Sequence, residues 1–238
     1  MKNINESGRS MVEMLGVLAI IGVLSVGGIA GYSKAMNKYK INKTTDQVSM
    51  LVANIRTLFS TQGNYKDLNN TYAKKFGVVP NDMYTNAADE NIKNAFNGNV
   101  VITSARARKD VNQPDAFIVA YDGLSNEACV TIATGDWGSG QASGLIGIAA
   151  GKGSTRDLTG ADATKVGETL VDAKGVSKMY VDDNSHAEAK DDLVIAAPGG
   201  SSTKDDVTTA ITTPISVTYA VQACTGGGSG NAVAWKYY

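Results

Sequence analysis

The sequence predicts an α+β fold in which one long N-terminal α-helix packs against an antiparallel β-sheet. The first observation behind this prediction is a helical pattern, uninterrupted by proline, from about residue 10 to about residue 60. The second is a series of short β-prone runs separated by glycine-rich turns over residues 61–238. Because a helix and a sheet each bury one apolar face, the two parts are expected to form packed layers.

The first part of the predicted helix is long and apolar enough to cross a membrane. Residues 14–33 carry no charged side chain, and an α-helix needs about 20 such residues to cross about 30 Å of hydrocarbon. Lys2 and Arg9 precede this segment and form the positive flank expected on the cytoplasmic side. The rest of the chain is therefore expected to face away from the cytoplasm.

The second part of the predicted helix is amphipathic. From Lys34 onward, apolar residues recur at spacings of three and four positions, with polar and charged residues between them. This pattern predicts that one stripe of the helix is buried against the globular part of the chain. The stripe consists of Val48, Leu51, Val52, Ile55, Leu58 and Phe59.

Five β-prone runs define the predicted sheet. They cover residues 100–103, 116–121, 193–196, 215–221 and 232–237. Turns are predicted at residues 138–140, 198–200 and 226–228 because glycine is concentrated there. Residues 87–97 and a short segment after Glu127 are predicted to be helical. The terminal aromatic residues, Trp235, Tyr237 and Tyr238, are expected to pack in the last strand or between subunits.

The composition argues against a nucleic-acid partner. The 238 residues include 22 Lys and Arg against 23 Asp and Glu, so the charge is balanced and no polybasic surface is indicated. A chain of this length accommodates one or two domains with a substantial core.

Glu13 is an acid just inside the apolar segment. A carboxylate at the centre of a bilayer costs about 2.5–3.5 kcal/mol, so such a charge indicates a partner or a function. An ordinary secretory signal peptide is the alternative interpretation, with Gly28, Ile29 and Ala30 as its cleavage site. Glu13 has no role in a signal of that kind.

The residues around Glu13 resemble the class III signal of type IV prepilins and related pseudopilins. The resemblance lies in Gly8, a short polar pair, Met11, Val12, Glu13 and the apolar helix that follows. It implies that a membrane-embedded prepilin peptidase cuts between Gly8 and Arg9, where family members usually begin with Phe, Met or Leu, and methylates the new N-terminus. It further implies that Glu13 of one subunit pairs with the α-amine of Arg9 on its neighbour during assembly.

The resemblance also implies a domain organisation and the type IV pilin fold. Residues 1–8 are the leader, residues 9–33 the hydrophobic half-helix that spans the membrane and then forms the filament core, and residues 34–60 the amphipathic half-helix. Residues 61–238 form the β-rich head. The implied partners are further copies of the chain, the prepilin peptidase and the pilus assembly machinery of the inner membrane.

The two cysteines, Cys129 and Cys224, both lie in the part expected outside the cytoplasm. An even number of cysteines in an exported protein favours a disulfide, with two buried free thiols as the alternative. The segments SNEACVTIATGDWGS and YAVQACTGGGSGNAVAWKYY around them resemble the heads of type IVb major pilins, which commonly staple the C-terminal region in this way.

No catalytic, metal or cofactor site is predicted. His186 lies in a polar stretch and is interpreted as a solvated loop residue. The run AAGKGST lacks the glycine spacing and the hydroxyl residue of a phosphate-binding loop. The acids between Asp182 and Asp192 are a calcium-site candidate, but they lack the ligand order of an EF-hand, so a hydrated loop is preferred.

The sequence thus predicts a non-enzymatic structural subunit. It would be membrane-inserted as a precursor and would then polymerise into an extracellular type IV pilus that serves adhesion, aggregation, motility or conjugation-type contact. A minor pilin or a type II secretion pseudopilin is the alternative within the family. A signal-anchored or secreted extracellular binding protein is the alternative from another class, and for it Glu13 would be accidental.

Overall fold

The computed structural model describes residues 6–84, 91–108, 112–138, 143–153, 193–197 and 211–238. The chain divides into two compact units between Lys40 and Ile41. The 54-residue helix α1 (Glu6–Phe59) begins in the first unit and ends in the second. The long N-terminal helix predicted from the sequence is therefore confirmed.

Within the second unit, α1 buries one stripe of apolar side chains. Every residue of the predicted stripe except Leu58 is buried, and Leu58 is partly buried against the same core cluster. Ile41 extends the stripe by two turns toward the N-terminus. Spacings of three and four keep these side chains on one helix face, so the amphipathic pattern is what directs α1 onto the sheet.

Seven strands among the described residues form one sheet in the order β1-β2-β3-β7-β4-β5-β6. They are β1 (Ile92–Lys93), β2 (Asn99–Ala105), β3 (Ala116–Leu124), β4 (Leu145–Lys152), β5 (Leu193–Ala197), β6 (Ile211–Thr212) and β7 (Asn231–Tyr237). All neighbouring pairs are antiparallel except β5 and β6, which are parallel. The predicted α+β class with a mainly antiparallel sheet is confirmed.

The last strand lies at the centre of the sheet. Trp235 of β7 pairs with Val119 of β3 on one side and with Ile148 of β4 on the other. Because side chains alternate along a strand, Val233, Trp235 and Tyr237 join the cluster that contains α1, whereas Ala232 and Ala234 join a second cluster rich in alanine. Strand β7 therefore contributes buried side chains to the core cluster on each face of the sheet.

Three short helices complete the described fold. They are α2 (Asn70–Lys75), α3 (Asn126–Ala133) and α4 (Val217–Ala223), and a 3₁₀ turn covers Asn81–Met83. Side-chain oxygens of Asn69, Ser125 and Ser216 accept hydrogen bonds from the first-turn amides of these helices. The short helix predicted after Glu127 corresponds to α3.

The prediction of a strand over residues 215–221 is wrong, because most of this segment is the helix α4. Ser216 Oγ accepts a hydrogen bond from the Tyr219 amide at 3.5 Å and caps the helix. Ala220 and Ala223 are buried while Val217 and Val221 are exposed, a period of three to four rather than two. The strand was predicted from the β-branched residues of this segment. Burial of the face that carries Ala220 and Ala223 outweighs their strand propensity.

The helix predicted over residues 87–97 is also wrong where the structure describes it. Ile92 and Lys93 form β1, and Asn94 Oδ1 then accepts hydrogen bonds from the amides of Phe96 and Gly98. An asparagine that binds nearby backbone in this way favours a turn over a helix. Residues 85–90 of that region lie outside the described residues.

Strand β4 was not predicted from the sequence. Its residues, LIGIAAGK, combine small side chains and glycine with few strongly β-prone residues. Residues 149–152 of the rejected phosphate-loop run AAGKGST lie in this strand. The turn predicted at 226–228 is present, whereas that at 198–200 lies outside the described residues.

Candidate functional site

The predicted processing and assembly residues lie in the first turns of α1. Gly8, Arg9 and Glu13 are all helical, and Glu13 is exposed. Arg9 and Glu13 are four positions apart, or about 6 Å along the helix axis. The structure describes a single copy, so whether Glu13 contacts a neighbouring subunit stays a prediction.

The apolar half of α1 exposes its side chains in the first unit. Residues 11–35 are all exposed, including Val23 and Val26 at more than 70%. The most apolar window of α1 has a mean hydropathy of 2.2 and contains no buried residue, so the helix is long and apolar enough to cross a membrane. A signal sequence near an N-terminus meets the same two criteria. Exposed apolar surface on this scale requires lipid or protein to cover it.

The two cysteines are joined in a disulfide, as the sequence favoured. Cys129 in α3 and Cys224 at the end of α4 have Cα atoms 5.9 Å apart, and both are buried. The bond joins positions 95 residues apart in the chain. It holds α3, which packs on β7, β4 and β3, to α4, which packs on β4 and β5.

A residue that the sequence analysis did not single out, Asn231, ties this disulfide region to the sheet. Its Nδ2 donates to the Leu124 carbonyl at 3.1 Å and to Asn126 Oδ1 at 2.8 Å, and its Oδ1 accepts from the Gly226 amide at 2.8 Å. The side chain is fully buried. The signal that could have found it is a polar residue at the start of a strand whose next four residues, AVAW, are apolar.

The terminal aromatic residues form part of the core. Trp235 is fully buried, with its ring edge-on to Tyr121 and to Trp137 at centroid distances of 5.8 and 4.8 Å. Tyr237 stacks on Phe117, and burial raises its pKa to about 12 although the nearby Arg56 opposes the shift. These contacts agree with the expectation that the aromatic residues pack in the last strand.

Several predicted features fall outside the described residues. His186 and the acids from Asp182 to Asp192 belong to them. Within the part of the chain that the structure covers, no group of three His, Cys, Asp or Glu side chains is placed to hold a metal ion.

Comparison with known families shows to which family the chain belongs. The model of the family described as Bundlin matches residues 33–181, which is more than half of the sequence. The chain belongs to the bundlin family. Its relatives include the major structural subunit of the bundle-forming pilus of Escherichia coli O127:H6, 26% identical over 129 residues, and the toxin coregulated pilin of Vibrio cholerae, 27% identical over 135 residues. The resemblance to type IVb pilins inferred from the sequence is confirmed.

These bundlin-family alignments are partial. They cover 54% and 56% of this chain, and 64% and 59% of the E. coli and V. cholerae proteins. Among solved structures, TcpA, a type IV pilin from V. cholerae El Tor, is 17% identical with a TM-score of 0.46 and covers 84% of this chain and 99% of its own. The type IV b pilin from Salmonella typhi is 16% identical with a TM-score of 0.42, covering 82% and 98%.

Proposed function

We propose that this chain is a pilin, the structural subunit of an extracellular type IV pilus. The observation that carries the proposal is the exposed apolar half of α1, residues 11–35, in a member of the bundlin family. A lipid bilayer covers such a surface in the precursor, and the same surface of other copies covers it in a filament. The E. coli and V. cholerae relatives are described as a major pilus subunit and a pilin.

The proposed cycle begins with an inner-membrane precursor. The prepilin peptidase removes residues 1–8, which leaves an α-amine on Arg9. Residues 9–33 then leave the bilayer for the filament core, residues 34–60 join this core to the head, and residues 61–238 form the outer surface. The inner-membrane assembly machinery drives this transfer.

Glu13 sets the register of each incoming subunit in this scheme. A carboxylate in apolar surroundings is costly without an opposite charge, and the Arg9 α-amine of the neighbouring subunit supplies one. A subunit in the wrong register would leave both charges unpaired. The pair therefore favours one stagger between adjacent helices.

The role as a filament subunit is tested by shearing filaments from producing cells and identifying their main protein. We expect this chain to be the most abundant protein in the sheared fraction and filaments to disappear when its gene is deleted. A minor pilin would instead be a trace component of the sheared filaments. The filaments would then persist when its expression is partly reduced. Filaments that are unchanged in the deletion strain would contradict the proposal.

A further inference from the structure

Lysines are concentrated directly after the apolar segment of α1. Two basic side chains, Lys2 and Arg9, precede this segment, whereas four follow it within ten residues, namely Lys34, Lys38, Lys40 and Lys43. Because basic residues beside a membrane span favour the cytoplasmic side, the four lysines oppose the orientation of the proposed precursor. A large domain is translocated largely regardless of such charges. The orientation therefore stands, and the lysines require another explanation.

Two of the four lysines, Lys34 and Lys38, are exposed on one face of the helix. Lys43 pairs with Asp82, and Lys40 is partly buried. Lys34 and Lys38 lie four positions apart, about 6 Å along the axis, so their side chains are neighbours. Two like charges at this spacing repel each other and weaken the helix. An anion that contacts both lysines would relieve this repulsion.

The helix itself does not supply that anion. The acids that flank the two lysines in the sequence are Glu13 and Asp46. Each is eight or more positions from the nearer lysine, which is more than two helical turns. A neighbouring copy is a poor source as well, because residues 1–40 include only two acids, Glu6 and Glu13, both before the apolar segment.

The two lysines lie at the depth of lipid headgroups in the proposed precursor. Residues 14–33 span about 30 Å, which is the thickness of the hydrocarbon, and the headgroup layer adds about 5–7 Å on each side. Lys34 therefore lies at the border of the hydrocarbon, and Lys38 about one turn further out. Tyr32, 67% exposed, lies at the same border, where tyrosine is enriched in membrane proteins.

We infer that Lys34 and Lys38 together bind the headgroup phosphate of an anionic phospholipid in the leaflet that faces away from the cytoplasm. The inference rests on the proposed membrane insertion of the precursor and adds the lipid class and the residues that select it. Phosphatidylcholine has the same phosphate, but its own choline cation compensates the charge. The contact holds α1 at one depth in the bilayer until the subunit leaves it.

The test measures which lipid surrounds this part of α1 in the full chain. A fluorophore is attached to Ser33→Cys, at an exposed position beside Lys34, and the native cysteines do not react because they form a buried disulfide. The vesicles are phosphatidylcholine with a small fraction of a lipid that carries a quenching spin label near its headgroup. That lipid is either phosphatidylglycerol or phosphatidylcholine. We expect phosphatidylglycerol to be enriched around the fluorophore about threefold or more, since each lysine near an anionic surface strengthens the attraction severalfold.

Two double variants make the test specific. Lys34→Gln/Lys38→Gln should quench equally with both lipids. Lys66→Gln/Lys75→Gln, which removes two exposed positive charges of the second unit, should keep the enrichment of the wild type. Replacing chloride with inorganic phosphate at equal ionic strength should also leave the enrichment unchanged, because the bound phosphate belongs to a lipid.

The possible failures are distinguishable. Equal quenching by both lipids in the wild type, or the same enrichment in Lys34→Gln/Lys38→Gln, would overturn the inference and leave membrane insertion intact. Loss of the enrichment in inorganic phosphate would show that the lysines take up free phosphate, which would also overturn it. An absence of quenching by either lipid would contradict the proposed membrane insertion and the inference with it.

Discussion

Lys43 Nζ lies 2.9 Å from Asp82 Oδ2 and joins α1 to the 3₁₀ turn that follows α2. Gln47 Nε2 donates to the same oxygen at 3.1 Å. The hydrogen bond from Lys43 is the main reason that the pKa of Asp82 lies below its ordinary value of 3.8. The stabilisation is therefore fully present above pH 3.8 and is lost as the pH falls through the lower pKa of the folded state.

Asp82→Asn should lower the free energy of unfolding at pH 7 by about 0.5–1 kcal/mol, since both side chains of the pair are partly exposed. The difference from the wild type should shrink as the pH falls below 3.8 and through the lower pKa of the folded state, because the wild-type carboxyl then becomes protonated in both states. Urea unfolding of both proteins at pH 7, 5 and 3 measures this difference in the free energy of unfolding. Asp46→Asn, on the exposed face of α1, is the control. A difference that is the same at pH 7 and pH 3 would contradict the assignment.

Lys236 should make stability rise with pH between 7 and 10. The residue is fully buried in β7, and burial lowers its pKa from 10.5 to about 7, with Asp115 opposing the shift and Arg106 adding to it. Between these values the unfolded chain binds more protons than the folded chain, so raising the pH favours folding. We expect a gain on the order of 2–4 kcal/mol from pH 7 to pH 10.

Lys236→Met is the matched variant for this effect, because methionine keeps the length of the side chain and does not titrate. Urea unfolding at pH 7, 8, 9 and 10 should show the rise in the wild type and a nearly flat profile in the variant. Above pH 10 both proteins should lose stability, since Tyr237 with its pKa of about 12 is kept neutral by folding. A wild-type profile without the rise would refute the prediction.

The Cys129–Cys224 disulfide should contribute about 2–5 kcal/mol to the stability of the head. It joins positions 95 residues apart, a long loop whose closure restricts the unfolded chain. The double variant Cys129→Ala/Cys224→Ala should melt at a lower temperature than the wild type in oxidising buffer. Adding a reductant should lower the melting temperature of the wild type and leave the variant unaffected. If the reductant changes neither protein, the disulfide does not stabilise the fold.

Glu13→Ala should yield a processed subunit that stays in the membrane. The variant keeps the apolar helix but lacks the carboxylate proposed to pair with the Arg9 α-amine of the next subunit. Immunoblots of membrane and sheared fractions measure the distribution, and we expect at least a tenfold loss from the sheared fraction. Glu6→Ala, in the segment proposed to be removed before assembly, should assemble normally. Normal filaments from Glu13→Ala would remove the proposed role of the acid.

The elements that the sequence predicted correctly are those with a strong local pattern. The buried stripe of α1 repeats every three to four residues, and the strands β2, β3 and β7 are rich in β-branched or aromatic residues. Strand β4 was missed because its pairing with β7 and β5, rather than its own small residues, holds it in the sheet. Helix α4 was taken for a strand because the burial of Ala220 and Ala223 depends on tertiary contacts.

The same distinction applies to the candidate site. Glu13 and the cysteines were found because each is an unusual residue in its local sequence. Asn231 and Arg56 act through partners far along the chain, such as Leu124 for Asn231 and Tyr238 for Arg56, 107 and 182 positions away. Pairings at that separation follow from the sheet topology, which local pattern does not specify.

The central claim is tested most directly by the N-terminal sequence and intact mass of this chain in filaments sheared from cells. The account predicts an abundant chain that begins at Arg9, with a mass two hydrogens lower than that of the reduced chain because the disulfide is intact; the mass also reports methylation of the new N-terminus. A chain that begins at Gly31 and is found free in the medium would instead indicate an ordinary signal peptide and would contradict the account.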